Sequence, residues 1–388
     1  MPYVPRQCAG SKRSAVPQAA LGCDRGVRGL WQAASQDEGR SCLLSALRHS
    51  RGRLHRPFQK GGVRMVPIDI ESLAAKVSAS SGIAAKQDIG TIAARLGLQG
   101  QQIAVGDDCA ALPDGDGYLL FAIEGFMNEF VAADPWFAGW CGVMVNISDV
   151  VAMGGRPIAV VDAVWANGEA GATPVLEGMR AASSAFGVPI VGGHTNIRSE
   201  RGQLSVAILG RAKTLLTSFD AKPGDVLVAA IDHRGRYREP FNNWEAATDA
   251  APARLRGDLE LLPEIAEAGL ALSAKDISQG GIVGTAIMLA ECSHVGIDID
   301  VTAIPLPAGV SLDRWLVTFP SFGYLLSVAP KDVADVVTRF TARGISAAVI
   351  GAVVVGAEVA LVDGESRAVV RDHTETPLLQ LGRQDVAA

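Results

Sequence analysis

Residues 136–153 are apolar on most faces of a helix, yet Asn146, Ser148 and Asp149 lie inside the run. A helix apolar on most faces reads as buried. Polar groups in such a helix are costly without partners. Asn146 and Asp149 are three residues apart and so share one helix face. A metal or phosphate site would satisfy them; a polar stripe against a neighbouring helix is the plainer alternative. Gly154 and Gly155 end the helix and Pro157 forbids its continuation.

Around this helix, strand and helix patterns alternate. Residues 68–100 read as two helices, from Ile70, Leu73, Ala74 and Val77, then Ile89, Ile92, Ala93 and Leu96. Gln102–Val105 and Tyr118–Ile123 read as strands around a turn rich in Pro, Asp and Gly. Ala159–Trp165, Pro189–Val191 and Leu204–Arg211 read as strands, and Pro174–Phe186 as a helix. Lys222-Pro223-Gly224-Asp225 is a turn that launches a strand over Val226–Ile231, and a second unit follows to about Val362. The pattern suggests an α/β or α+β domain at 65–215, a second unit of strands and helices at 216–380, and a loose tail at 381–388.

Residues 1–64 show no sustained period and hold 12 Lys and Arg against 3 Asp and Glu, leaving 23 against 38 in the rest. We read the segment as sequence upstream of the natural start at Met65; a targeting peptide and a basic nucleic-acid tail are the alternatives. The acidic body does not attract nucleic acid, whose affinity comes largely from basic residues meeting phosphates. It suits Mg²⁺, and nucleotide held through Mg²⁺. No apolar run is long enough for a membrane helix. The six cysteines form no CxxC pair, so neither zinc nor a redox motif is indicated, and the compartment is read as reducing cytosol.

Four clusters are rich in chemistry. Gly106-Asp107-Asp108-Cys109-Ala110 sets two carboxylates side by side, which costs energy unless a cation or hydrogen bonds compensate; a solvated turn is the alternative. Asn146 to Pro157 is the second cluster. In Val191-Gly192-Gly193-His194-Thr195-Asn196, at a strand's end, paired glycines let backbone N–H groups approach an anion, with His194 either a ligand or structural. Lys275-Asp276-Ile277-Ser278-Gln279-Gly280-Gly281 opens an apolar helix, a ready anion site, although Ser278 could equally be a plain N-cap. Neither a Walker A loop nor GxGxxG is present.

GDDCA, NxSDxxAMGGxP, GGHT and DxSxGG, in this order and spacing, resemble the aminoimidazole ribonucleotide (AIR) synthetase superfamily over roughly residues 70–365. That superfamily includes thiamine-monophosphate kinase, selenophosphate synthetase, formylglycinamidine ribonucleotide synthetase and a hydrogenase-maturation protein. The resemblance implies a two-domain fold, α/β plus α+β, with N-terminal sheets paired in a homodimer and ATP with Mg²⁺ in a cleft near that interface. It implies ATP-dependent phosphorylation of a small molecule by a kinase-like or cyclo-ligase-like enzyme, or else a nucleotide-binding subunit without chemistry of its own.

Carried over position by position, Asp107, Asp108, Asp149, Asp276 and Glu124 are the implied metal ligands; Glu124 stands where many relatives have Asp. Asp108, Asp149 and His194 are the implied catalytic residues. Gly106, Asp107, Asn146, Ser148, Gly154, Gly155, Gly192, Gly193, Thr195, Gly280 and Gly281 are the implied nucleotide ligands. No Cys lies between residues 43 and 108, which argues against selenophosphate synthetase, and thiamine-monophosphate kinase typically has Asp where His194 stands. The chain reads as a divergent member. For substrate, Arg234, Arg236 and Arg238 beside Trp244 could hold an anion and stack a ring, or form a solvated loop. Phe322 and Gly323 form a second candidate wall. Lys86 either reaches phosphates or is an exposed helix lysine.

Overall fold

The computed structural model describes residues 68–382. The proposed start at Met65, the 1–64 extension and residues 383–388 lie outside them.

Helix α1 (Ile70–Ser78) is capped by Asp69, whose carboxylate accepts from Ser72 N, and helix α2 (Ser81–Leu96) ends at Gly97 in the left-handed region, φ +65°. The first sheet then builds from β1 (Ala110–Asp114) and β2 (Gly117–Phe126), which form a hairpin pairing Asp114 with Gly117. Helix α3 (Asn128–Ala133) leads into α4 (Pro135–Ala152), which starts where the Asp134 carboxylate accepts from Phe137 N and Pro135 pre-sets the first turn. Strand β3 (Arg156–Asn167), helix α5 (Gly168–Phe186), β4 (Ile190–Asn196) and β5 (Arg198–Ala212) complete the unit. The strand order is β1-β2-β5-β3-β4, with only β3 and β4 parallel.

The second sheet contains β6 (Val226–Ile231), β9 (Ser273–Asp276), β10 (Gly296–Asp300), β12 (Gly323–Val328), β13 (Ser346–Val354), β14 (Glu358–Asp363) and β15 (Ser366–Asp372), in the order β15-β14-β10-β13-β6-β12-β9. Every residue of β6 and β12 is buried, because this sheet is covered on both faces. Val226, Val228 and Ala230 face a core shared with α4. After helices α6 (Pro252–Leu259) and α7 (Leu261–Glu267) comes α8 (Gly281–Ser293), and Leu227, Ala229 and Ile231 face a core built with α8 and with α1 and α2. Helix α4 is therefore lodged between the two sheets with α5 at its side, which accounts for its apolar circumference. A small sheet of β11 (Phe319–Pro320), β8 (Asn243–Glu245) and β7 (Arg236–Tyr237) rims the second unit.

The observed elements differ from expectation in several places. Gln102–Val105 is not a strand; β2 pairs instead with Ala110–Asp114, so GDD precedes the first strand rather than following one. Helix α5 starts at Gly168 and includes Pro174, and GGHT lies within β4 rather than at a strand's end. Helices α1 and α2, first among the described residues, pack on the second sheet. Leu381 is not loose tail: it is buried, and Gly382 N donates to Val105 O at 3.1 Å. Among the described residues no helix is long and apolar enough to cross a membrane.

Candidate metal and nucleotide site

Asp149 sits near the end of α4, Asp276 at the end of β9 and Asp108 in the loop before β1. One oxygen of each lies within 4.8 Å of the others. The sequence separates these residues widely; the lodging of α4 between the sheets brings them together. Met153 ties the first two motifs, its Sδ accepting from Cys109 N at 3.0 Å.

Protein donors satisfy part of this acidic cluster. Asp107 accepts Ser218 N at 3.0 Å and Ser218 Oγ at 2.7 Å. Lys275 Nζ bonds Asp108 Oδ1, and Asp276 N donates to Asp108 Oδ2 at 3.2 Å. The Lys275 and Asp108 side chains are each only 5% exposed. Asp149 is 5% exposed and its Oδ2 has no partner. The buried Oδ1 of Asn146 and Oγ of Ser278 also lack partners, while Asn146 Nδ2 is spent on Gly142 O at 2.8 Å.

Electrostatics registers the crowding. Burial, then Asp276, Glu124 and Asp108, push the Asp149 carboxyl far above the usual range. Burial and the neighbouring Asp108 push Asp276 up to about 8, against the opposing charges of Lys275 and Lys86. Burial likewise raises Asp107 to about 6, with Lys275 working against it. Glu124, on β2, is raised by burial and lowered by Lys86, so it belongs to the same group. Lys275 is held protonated, the carboxylates outweighing the cost of its burial. An all-oxygen donor set with an orphaned, fully desolvated carboxylate oxygen fits a hard divalent cation such as Mg²⁺.

The remaining predicted residues separate into groups. Ser148 lies beside the cluster, with the Tyr324 hydroxyl facing it, and its Oγ donates to Met144 O at 3.2 Å. Gly106 has φ +127°, where a Cβ would come within 3.1 Å of Cys292 Sγ. Gly281 opens α8 at φ +64°, and a Cβ there would meet Leu316 O at 2.2 Å. The N-cap of α8 is Gly280, not Ser278. Gly154 and Gly155, expected to bind nucleotide, are buried packing residues: a Cβ on Gly155 would sit 2.3 Å from Leu120 Cδ1, and one on Gly154 2.8 Å from Ala266 Cβ.

His194 is not brought to the carboxylates. Register pairs Glu124 with Val206 and Asp162 on the helix-covered face, whereas His194 pairs with Ala163 on the open face. Its strand β4 lies three strands from β2, about 14 Å at ordinary strand spacing. Its ring lies 5.6 Å from that of Trp165. Gly192, Gly193 and Thr195 are exposed on the same edge strand.

The expected substrate arginines are engaged with the protein's own carboxylates. Arg234 pairs with Asp232 at 2.8 Å, Arg236 with Asp249 at 2.8 Å, and Arg238 with Asp134 at 2.8 Å while covering the Phe137 ring. Trp244 is buried, donating Nε1–H to Asp232 O at 3.0 Å. Gly323 is buried in β12, and Phe322 packs edge-on to Tyr324. Lys275 and Ser218 were given no role from the sequence, whereas Lys86 was singled out there as reaching phosphates or as an exposed helix lysine. Lys275 carried a signal, a charge inside a strand whose every residue is buried. Lys86 is half-buried and close enough to act on Glu124 and Asp276. Ser218, 111 positions from Asp107, carried none.

Residues 106–212 match the model of the AIR synthase related protein N-terminal domain, and residues 222–364 that of its C-terminal domain. The chain belongs to the AIR synthase-related family. It is 48% identical over 304 residues to an uncharacterised protein of Synechocystis sp., covering 76% of this chain and 94% of that one. It is 30% identical over 212 residues to the thiamine-monophosphate kinase of Methanospirillum hungatei, covering 52% and 70%. In structure it is similar to T. maritima PurL complexed with ADP, at TM-score 0.66, 20% identity and 89% of this chain. It is also similar to AaThiL complexed with AMPPCP and TMP, at TM-score 0.55, 20% identity and 72% of this chain. The chain spans 55% of that PurL and 94% of that ThiL. This AIR synthase-related chain shares their two-domain arrangement of mixed helices and sheets.

Proposed function

We propose that this chain is an ATP- and Mg²⁺-dependent enzyme that transfers phosphoryl to a small metabolite. The observation behind this reading is the convergence of Asp108, Asp149 and Asp276 around a buried carboxylate oxygen with no protein partner. ATP complexes of PurL and the AMPPCP complex of ThiL support a nucleotide as the ligand. Asp149 and Asp276, with one oxygen of Asp108, would hold the cation. A bound Mg²⁺ neutralises phosphate charge and fixes the geometry of transfer. Around it the chain's own groups position the nucleotide: Ser278 Oγ and the start of α8 present donors to phosphate, and Lys86 supplies a positive charge at the cluster's edge. Glu124 closes the ring of carboxylates from β2.

The working form is proposed to be a cytoplasmic homodimer joined through the open face of the first sheet. A second reading, a nucleotide-binding subunit without chemistry of its own, is favoured by the engagement of Arg234, Arg236 and Arg238 with protein carboxylates. Calorimetric titration of the full chain with AMPPCP, with and without Mg²⁺, tests the common core. Mg²⁺-dependent binding that drops at least tenfold in Asp149→Asn is expected. Equal binding without Mg²⁺, or in the variant, would sink the carboxylate reading.

A further inference from the structure

The cluster holds more charge than one cation requires, and the structure already supplies part of the compensation. Two of its five carboxylates have protein donors on both oxygens. Asp107 accepts both donors of Ser218, and Asp108 accepts Lys275 Nζ on one oxygen and Asp276 N on the other. Lys275 is 4% exposed and also lies 3.4 Å from Ser218 Oγ, which itself bonds Asp107. Its ammonium thus lies against Asp108 and is linked to Asp107 through the Ser218 hydroxyl. The unsatisfied oxygen is on the other side, at Asp149, next to Asp276.

Resting on the metal reading above, we infer that Lys275 is an internal cation that takes the place of one divalent ion, so that the free protein binds a single divalent ion, on the Asp149–Asp276 side of Asp108. A compact ammonium can bond the Asp108 carboxylate and reach the Ser218 hydroxyl while its charge acts on Asp107, but it cannot leave the site as an ion can. The exchange has a consequence for specificity. Half of the cluster is preformed before any metal arrives, and only the other half answers to metal concentration. Replacing the ammonium by an uncharged chain of similar length would free one oxygen of Asp108 and remove the positive charge beside Asp107, leaving two adjacent hard carboxylates for a second ion, with Asp107 still accepting from Ser218.

Counting Mn²⁺ by the electron paramagnetic resonance of the free ion, on the full chain without nucleotide, tests this. One equivalent is expected on the wild type and on Lys275→Arg, and two on Lys275→Met. A Lys275→Met protein that folds only when Mn²⁺ is present also supports the assignment, because the ion then does the work of the ammonium. One equivalent on both wild type and Lys275→Met overturns the assignment while leaving the metal site intact. Two equivalents on the wild type overturn it as well. Failure of Lys275→Met to fold at any Mn²⁺ concentration, with Lys275→Arg folded, overturns it too. If no variant and no wild type binds Mn²⁺, the metal reading fails along with it, and titration with AMPPCP separates that case.

Discussion

Arg238 shows how one side chain can have its charge committed before any ligand arrives. Its guanidinium lies 4.6 Å above the Phe137 ring and its Nε bonds Asp134, the residue that caps α4. The pair is about a quarter to a third exposed, so solvent screens it, and the contribution is modest. Arg238→Ala should cost about 1–2 kcal/mol, from the cation–π contact and the cap it supports, read by thermal or urea denaturation. Arg236, paired with Asp249 where both side chains are more than 70% exposed, should cost under about 0.5 kcal/mol when replaced by Ala. Both variants should bind AMPPCP within twofold of wild type. A tenfold loss in either would restore the arginine row to ligand binding. In sequence the two residues look equivalent, spaced by two in one loop. Only the tertiary placement of Asp134 beneath Arg238 tells them apart.

At the scale of elements, the buried end of the described chain depends on a single carboxylate of α8. Glu291 accepts Leu378 N at 2.6 Å, Leu379 N at 2.9 Å and Gln380 N at 2.7 Å, holding Leu378, Leu379 and Leu381 in the second core. Glu291→Ala would leave three backbone donors in an apolar setting, at about 1–3 kcal/mol for each one that finds no water. A loss of at least about 3 kcal/mol is expected in urea denaturation, with amide exchange at Leu378–Gln380 accelerated ahead of global unfolding. A loss below about 1 kcal/mol, with exchange unchanged, would show that packing alone holds the segment. This anchor was invisible in the sequence, since 87 positions separate Glu291 from Leu378. Elements whose signal is local were readable. The apolar circumference of α4 and the unbroken apolar run of β6 each state their burial outright. Strand β1 was not readable: Ala-Ala-Leu-Pro-Asp has no β-branched residue, and its conformation comes from pairing with β2 across the Asp114–Gly117 turn. Gln102–Val105 alternates like a strand but has no partner to pair with. The four motifs were legible because each is contiguous, and three of them meet at the site. The displacement of His194 was not, because it follows from the strand order β2-β5-β3-β4, which no local pattern encodes.

The whole molecule is unequal in how it covers its sheets. Both faces of the second sheet are buried, whereas the first sheet has α4 and α5 on one face and no element of the described chain on the other. That open face is apolar. Phe121 pairs with Leu209, Ile123 with Ala207 and Ala207 with Val161, giving rows in which Phe121 is 52% exposed, Ile123 66% and Val161 41%. Contiguous apolar rows of this kind mark an interaction surface on a soluble domain. A second copy meets the requirement economically, because a two-fold axis lets each open face cover the other with identical chemistry. His194 and Trp165 stand on this same face, so a part for His194 in nucleotide binding would have to be played across the interface. The wild type should therefore sediment as a dimer at micromolar concentration. Phe121→Lys with Val161→Lys, placed on exposed side chains that support neither core, should sediment as a folded monomer with its unfolding transition retained. A monomeric wild type, or a dimer untouched by the two lysines, would move the contact elsewhere and leave this face to a different protein. The lysines would act through cost rather than shape, since a symmetric contact brings each new charge near its own copy in a desolvated seam, where like charges cannot be separated.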